Sequence, residues 1–339
     1  QSHRYGWDAA QCVKKAREQV AALINADARE IVWTSGATES DNLAIKGAAY
    51  FYQRQGKHII TMRTEHKAVL DTCAYLETQG FAVTYLDPQA NGRLNLQDLE
   101  NAIRDDTILV SIMHVNNEIG TILDIEKVSE IVQAHGQLFH CDTAQSITKI
   151  PIDLSKTKIA FISGAPHKFF GPKGIGFIYI NSNNIINPMF YGGSQERGLR
   201  SGTENIYGIA GMAKAFELGL AEYEERKKSI SKIKNHFISR LPEIGDVSIN
   251  GDPDTSLYNI LSLSFPLSDK MDMIMMNLDI KGISASAGSA CASGVENESH
   301  VLEGIGHDPK RKAVRFSFSH FNTIEEVDYT IDYLKTICT

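Results

Sequence analysis

The feature that most constrains this chain is a series of short apolar segments, most of them separated from the next by a stretch of helical period. Segments 30–34, 58–62, 81–86, 107–112, 138–141, 159–162 and 175–180 are short runs rich in apolar and β-branched residues, and most are apolar on both faces. Helical periodicity fills 68–76, 94–103 and 125–134, and an earlier helix carries Val13, Ala16, Val20 and Leu23 on one face, with Asp8 as its expected cap. Strands that are apolar on both faces and alternate with helices predict a mostly parallel sheet covered on both sides. In such sheets ligands collect at the carboxyl ends of the strands, so chemistry is expected in the residues that follow each strand.

From Ile206 the texture changes. A helical stretch runs through Ala215, Leu218 and Leu220 into a charged block over 222–234 and ends before Pro242, which predicts one long solvated helix bridging two domains. Beyond it a strand over 259–265, a helix over 271–278 and a strand over 314–318 lead to a last helix opened by a Thr323-Ile324-Glu325-Glu326 capping box. The reading is an α/β fold of two domains: a large one over 1–222 and a smaller α+β one over 223–339.

Charge narrows the partners. The 339 residues hold 34 Lys+Arg against 41 Asp+Glu, a net of −7 with no long basic run, so an electrostatic nucleic-acid binder is excluded. No apolar run reaches the ~18 residues that span a bilayer, and no charged-then-apolar leader opens the chain, so a soluble cytoplasmic protein with no membrane contact is expected. Five cysteines without any CxxC spacing predict reduced thiols, not a disulfide framework, and no metal site is expected. A start at Gln1-Ser2-His3, almost directly inside a helical pattern, suggests a processed or trimmed product.

Three strand ends stand out. Ser35-Gly36 closes a strand and Thr38-Glu39-Ser40-Asp41 opens a helix, an arrangement that points backbone N–H groups at an anion. Asp142 and Gln145 follow the strand ending at Cys141; alone, such an acid is equally well a helix cap. Lys168, in Pro166-His167-Lys168 ahead of Gly171-Pro172-Lys173-Gly174, would alone read as a solvated loop lysine. The two lie 26 residues apart with one strand between them, which makes them neighbours on one sheet edge.

With these residues in view the chain resembles the pyridoxal phosphate-dependent class V aminotransferases, and within them the NifS/IscS-like cysteine desulfurases. The resemblance is carried in order by Thr34-Ser35-Gly36-Ala37-Thr38-Glu39-Ser40-Asp41-Asn42, Thr64-Glu65-His66-Lys67, Met113-His114-Val115-Asn116-Asn117-Glu118-Ile119-Gly120 and the Asp142 and His167-Lys168 segments. It continues through Gln195-Glu196-Arg197-Gly198-Leu199-Arg200-Ser201-Gly202-Thr203-Glu204-Asn205 and Ser286-Ala287-Gly288-Ser289-Ala290-Cys291, and so covers nearly the whole chain. It implies the type I, aspartate aminotransferase-like fold of pyridoxal phosphate enzymes.

The resemblance also implies roles. Lys168 would anchor pyridoxal 5'-phosphate as a Schiff base, and Asp142 would pair with the pyridine nitrogen. Gln145 would bond the ring hydroxyl, Asn117 the ring edge or the substrate, and Ala37, Thr38 and His167 the phosphate. His66 would stack on the ring and move protons. Thr203 would reach the phosphate of a partner subunit, which implies a homodimer. Arg315 would clamp the substrate carboxylate bidentately.

Cys291, in a Ser, Ala and Gly-rich stretch over 284–293, would attack the sulfur of L-cysteine, keep it as a persulfide, release alanine and pass the sulfur on. Acceptor proteins such as an iron–sulfur scaffold, or tRNA thiolation, follow as destinations. A selenocysteine lyase or other class V enzyme, and a weakly active relative that mainly binds partners, are the alternatives. Ala165-Pro166 departs from the family pattern, which places a Ser or Thr there; a missing hydrogen bond to a charged phosphate costs about 1.5–3 kcal/mol. The family's N-terminal arm lies outside the match, and the chain stops soon after Cys338.

Overall fold

The computed structural model describes residues 3–287 and 299–338. The chain divides into two compact units. The first comprises Gln1–Leu86, Leu96–His114 and Asp124–Tyr223; the second comprises Asp87–Asn95, Val115–Leu123 and Glu224–Thr339.

The first unit contains α1 (Arg4–Leu23), β1 (Ile31–Thr34), α2 (Ala37–Tyr52), β2 (His58–Met62), α3 (Lys67–Thr78), β3 (Ala82–Leu86), α4 (Leu96–Ala102) and β4 (Thr107–Ser111). It continues with α5 (Ile125–Ala134), β5 (Leu138–Asp142), β6 (Phe161–Gly164), β7 (Gly176–Ile180) and α6 (Ile206–Ala221). The seven strands form one sheet in the order β1-β7-β6-β5-β4-β2-β3. Strands β3, β2, β4, β5 and β6 pair in parallel, and β7 runs antiparallel to both β6 and β1. Every residue of β1, β2, β4, β6 and β7 is buried, as expected of strands covered on both faces. Leu43, Ala44, Ile45 and Ala48 of α2 pack with Val32, Ile59, Leu109, Phe161 and Ile178 of the sheet in one apolar cluster. Burial of each large aliphatic side chain there stabilises by roughly 1.5–3 kcal/mol.

One glycine sets where the sheet and α2 meet. A Cβ on Gly176 would stand 2.6 Å from Cα of Gly36 and 2.9 Å from the carbonyl oxygen of Gly164. Only glycine lets β7 start there, and its bareness brings the turn that opens α2 against the end of β6.

Three expectations are corrected. Helix α1 is capped by His3, whose Nδ1 accepts the Gly6 N–H at 3.3 Å, while Asp8 is an exposed residue within the helix. The single bridging helix is two: α6 ends at Glu222, at φ −100° and ψ 7°, and α7 (Tyr223–Arg240) follows. Nor is the first part solvated, because α6 buries Ile209, Met212, Ala213 and Phe216. Finally, the segments 87–95 and 115–123 fall in the second unit, not in a continuous domain over 1–222. Arg93 pairs with Asp252 at 2.7 Å, the Ile122 N–H donates to the Thr255 carbonyl and the Leu257 N–H to the Gly120 carbonyl, which hold both segments on residues 252–257.

The second unit holds most of α7, then β8 (Ser248–Ile249), β9 (Ile260–Pro266), α8 (Asp269–Asp272), α9 (Ile274–Ile280), α10 (His300–Gly304), β10 (Arg311–Ser317) and α11 (Ile324–Cys338). Its three strands pair antiparallel as β10-β9-β8. Phe237 of α7, Leu263 and Phe265 of β9, Val314 and Phe316 of β10 and Ile331 and Leu334 of α11 make its core. The capping box forms reciprocally: the Thr323 N–H donates to Glu326 at 3.1 Å and the Glu326 N–H to Thr323 Oγ1 at 3.2 Å. No helix among the described residues is long and apolar enough to cross a membrane.

Candidate active site

The carboxyl ends of β1, β2, β5 and β6 carry the titratable and anion-binding groups of the first unit. At β1, α2 begins with Gly36 at its N-cap, and no side chain caps the helix. Half-buried Ala37 and exposed Thr38 lead its first turn, where backbone N–H groups and the helix dipole favour an anion. Glu39 in the same turn is occupied elsewhere: it takes Ser35 N–H at 2.9 Å and the Arg200 guanidinium at 2.8 Å. Burial alone would raise its carboxyl, but Arg200 and Ser35 outweigh it and hold Glu39 below the usual carboxylate range.

After β2, His66 is the N-cap of α3. Its Nδ1 accepts the Ala68 N–H at 3.1 Å, which fixes the ring and leaves Nε2 as the nitrogen that carries or exchanges a proton. Thr38 and His66 share the wall of a cavity of about 320 Å³ with Asn42 and Thr72.

Asp142 ends β5 and is buried, with Oδ1 accepting the Ala144 N–H at 2.8 Å. Burial, and then the nearby Asp41 carboxyl, push it up to about 7. Two residues earlier on the same strand face, the fully buried His140 meets Ser111 Oγ at 2.8 Å and Ser163 Oγ at 3.0 Å. Burial lowers His140 to about 4, so its imidazole is neutral at pH 7. Gln145 follows in the turn beyond β5.

Ser163 of β6 is the register partner of Asp142, and Lys168 closes a short 3-10 turn (Pro166–Lys168) after that strand. The strand-end acid and the strand-end lysine therefore follow neighbouring parallel strands. Phe169, next to Lys168, packs edge-on against Phe216 of α6 at 5.7 Å, so α6 braces the loop. Ala165 is completely buried and brings no hydroxyl to this loop, and the Ser163 hydroxyl faces His140. His167 and Lys168 are exposed; partial burial and the charges of Lys168, Lys173 and Lys149 hold His167 below its ordinary value. Thr203 is exposed in the loop before α6.

Sequence reading passed over Lys149. Its amine donates to the Gln145 carbonyl at 2.8 Å, and burial together with the Lys168 charge pushes it down to about 7. An ion-pair partner would have flagged it, and the sequence around it offers none. Glu196, which the family resemblance includes without a role, is buried and held by Arg17 at 2.5 and 2.7 Å.

In the second unit, half-buried Arg315 of β10 donates from Nη1 to the Asn117 carbonyl at 2.7 Å, which sets the two residues side by side. Cys291 lies outside the described residues. Among the described residues no group of three His, Cys, Asp or Glu side chains could hold a metal ion.

The donor set of the first unit suits pyridoxal phosphate. A buried acid pushed up to about 7 calls for a cation beside it, which a protonated pyridine nitrogen supplies. A lysine follows the adjacent strand, and an uncapped helix start stands ready for a phosphate.

Comparison with known proteins agrees. The family model described as Aminotransferase class-V matches residues 1–330. Cysteine desulfurase IscS of Salmonella typhi is 48% identical over 98% of this chain and 83% of its own. A solved NifS-like protein superposes with a TM-score of 0.93 at 39% identity, covering 99% of this chain and 90% of its own. The structure titled SspA in complex with cysteine superposes at 0.84 with 35% identity, over 95% of this chain and 91% of its own. Enzymes of this type depend on pyridoxal phosphate and share the type I fold, which the mostly parallel sheet of the first unit matches. The chain belongs to the class-V aminotransferase family, in its NifS/IscS-like cysteine desulfurase group.

Proposed function

We propose that the chain takes sulfur from L-cysteine, releases L-alanine and holds the sulfur as a persulfide on Cys291 for an acceptor protein. The observation that carries this reading is the pairing of Asp142 and Lys168 at the ends of neighbouring parallel strands, in a chain 48% identical to an IscS desulfurase. Bound pyridoxal phosphate supplies an electron sink for the bonds around the substrate's α-carbon.

The chain's own residues do the rest. Lys168 holds the cofactor covalently and exchanges protons at Nζ. Asp142 would pair with the ring nitrogen; a cation there would offset the effect of burial and keep the acid ionised. His66, its Nδ1 occupied by the Ala68 N–H, would stack on the ring and exchange its proton at Nε2. Gln145 would take the ring hydroxyl, and Ala37, Thr38 and His167 the phosphate, joined by Thr203 from the second subunit of a homodimer.

Asn117 and Arg315 orient the substrate, with the Arg315 fork on the carboxylate. The Cys291 thiolate then attacks the substrate sulfur. One S–S bond forms and one C–S bond breaks, the released pair is protonated to the methyl group of alanine, and the exchange is redox-neutral. An iron–sulfur scaffold or a tRNA-thiolating protein takes the sulfur on, and the large domain binds the cofactor while the small one carries Cys291.

Alanine and sulfide release from L-cysteine tests the reading. Cys291→Ala should lose both, and Lys168→Ala should lose the absorbance of covalently bound cofactor near ~420 nm. Full alanine production by the Cys291 variant would falsify the persulfide step; turnover of L-selenocysteine alone would make the chain a lyase of that amino acid.

A further inference from the structure

The described residues on either side of the segment that carries Cys291 attach at or next to the residues assigned to the substrate: Ser286 to Arg315, and Ser299 to Glu118, the neighbour of Asn117. On the near side, Ser286 and Arg315 exchange backbone hydrogen bonds at 3.0 and 2.7 Å, and the Arg315 side chain reaches the Asn117 carbonyl. On the far side, the described chain resumes at Ser299. Its hydroxyl donates a short hydrogen bond to the carboxylate of Glu118, the neighbour of Asn117. Ser299 Oγ also accepts the N–H groups of Val301 and Leu302 at 3.2 and 3.3 Å, so its donor and acceptor capacity are both used.

This attachment is built, not incidental. Glu118 is 2% exposed and Ser299 is 6% exposed. A carboxylate that deep is costly to bury and is kept only where a bond to it repays the loss of water. The turn that bears it is stiff: Asn116 Oδ1 takes the N–H groups of Glu118 and Ile119 at 2.9 and 3.1 Å, and Gly120 closes the turn at φ +75°. Ile119 packs against Val301 and Leu302 in a separate small core, which braces the same contact from the apolar side. A serine that needed only to cap α10 would require no buried acid.

We propose that Glu118, acting through Ser299, is a positioning residue for sulfur transfer: it fixes the return end of the Cys291 segment to the turn that carries Asn117. The inference rests on the assignment of Cys291 as the sulfur carrier.

The test uses the full-length, cofactor-loaded enzyme mixed once with L-cysteine. Persulfide on Cys291 is followed by mass spectrometry, and L-alanine affinity by the change in cofactor absorbance. Ser299→Ala should slow persulfide formation by roughly tenfold or more while L-alanine affinity stays within about twofold. Ser299→Gly serves as the better-folding variant, because glycine at a helix N-cap loses only about a few tenths of a kcal/mol. It should be as slow as Ser299→Ala. Glu118→Gln, whose amide oxygen accepts the same bond, should recover to within about threefold of wild type.

A wild-type rate in Ser299→Ala and Ser299→Gly, or parallel loss of rate and L-alanine affinity, overturns the inference. Cys291→Ala run alongside keeps the two ideas apart. Its full activity would sink the sulfur-carrier assignment, whereas a fast Ser299→Gly with a dead Cys291→Ala sinks only the role of Glu118.

Discussion

The carboxylate of Asp41 lies 3.5 Å from Nε2 of His140, and neither side chain is more than 1% exposed. Burial pushes Asp41 up to about 7, as burial and Asp41 together do for Asp142. Glu65 belongs to the same region and is raised too, chiefly by burial, with Asp142 and Asp41 adding to it. The end of β5 without cofactor is therefore a place where negative charge is crowded and poorly solvated.

A pH dependence follows for the cofactor-free protein. Asp142 binds its proton more tightly folded than unfolded, so folding loses stability as pH rises from the ordinary carboxylate value of 3.8 through about 7. Asp142→Asn removes that loss. Thermal unfolding of the two cofactor-free proteins should show the variant more stable at pH 8, with the gap closing toward pH 5. A gap that ignores pH would mean that Asp142 is not held protonated.

Lys149 gives the mirror case with a basic group. Its folded value falls from 10.5 to about 7, so the unfolded chain holds the extra proton between those limits and wild-type stability rises with pH across them. Lys149→Met should be more stable than wild type near pH 7, offset by about 1 kcal/mol for the lost bond to the Gln145 carbonyl. Unfolding midpoints near pH 7 and near pH 9.5 check this: the variant's advantage should shrink or reverse at the higher pH.

The parallel sheet was legible because β2 and β4 carry apolar residues on both faces, Ile59, Ile60 and Met62 in one and Ile108, Leu109 and Val110 in the other, and the placing of Asp142 and Lys168 after neighbouring strands because one strand separates them. What escaped was set by long-range contacts. The break at Glu222 is marked by no Gly or Pro, and local helical propensity runs straight through it. Helix α6 packs against α1, and its Phe216 pairs edge-on with Phe169 and Phe177, contacts that no periodicity of that segment announces. Asn117 fell to the second unit because backbone bonds from residues 255 and 257 claim its turn. Glu118 and Ser299, 181 residues apart, carry no local sign of each other.

Glu196 illustrates the stability side of such contacts. It accepts Arg17 through both oxygens and the Trp33 N–H at 2.9 Å, while its own backbone sits at φ +46°. Removing it strands a guanidinium that is only 13% exposed. Glu196→Ala should destabilise by about 3–5 kcal/mol, the range for breaking one side of a buried ion pair. Chemical denaturation reads this directly, and a loss below about 1 kcal/mol would show that Arg17 finds another partner.

Arg315 tests the substrate side. Its Nη1 is engaged with the Asn117 carbonyl at 2.7 Å, and the guanidinium is rigid and planar, so the group offered to a carboxylate is pre-aligned. A lysine keeps the charge but loses the fork and the tie to Asn117. Arg315→Lys should raise the KM for L-cysteine by about tenfold to a hundredfold with a smaller fall in kcat, since uniform binding is what is removed. Arg315→Ala should raise it further. Steady-state alanine formation across a range of L-cysteine concentrations separates the two constants. Equal KM values in wild type and both variants would place the carboxylate on some other residue and leave Arg315 as a brace between β10 and the Asn117 turn.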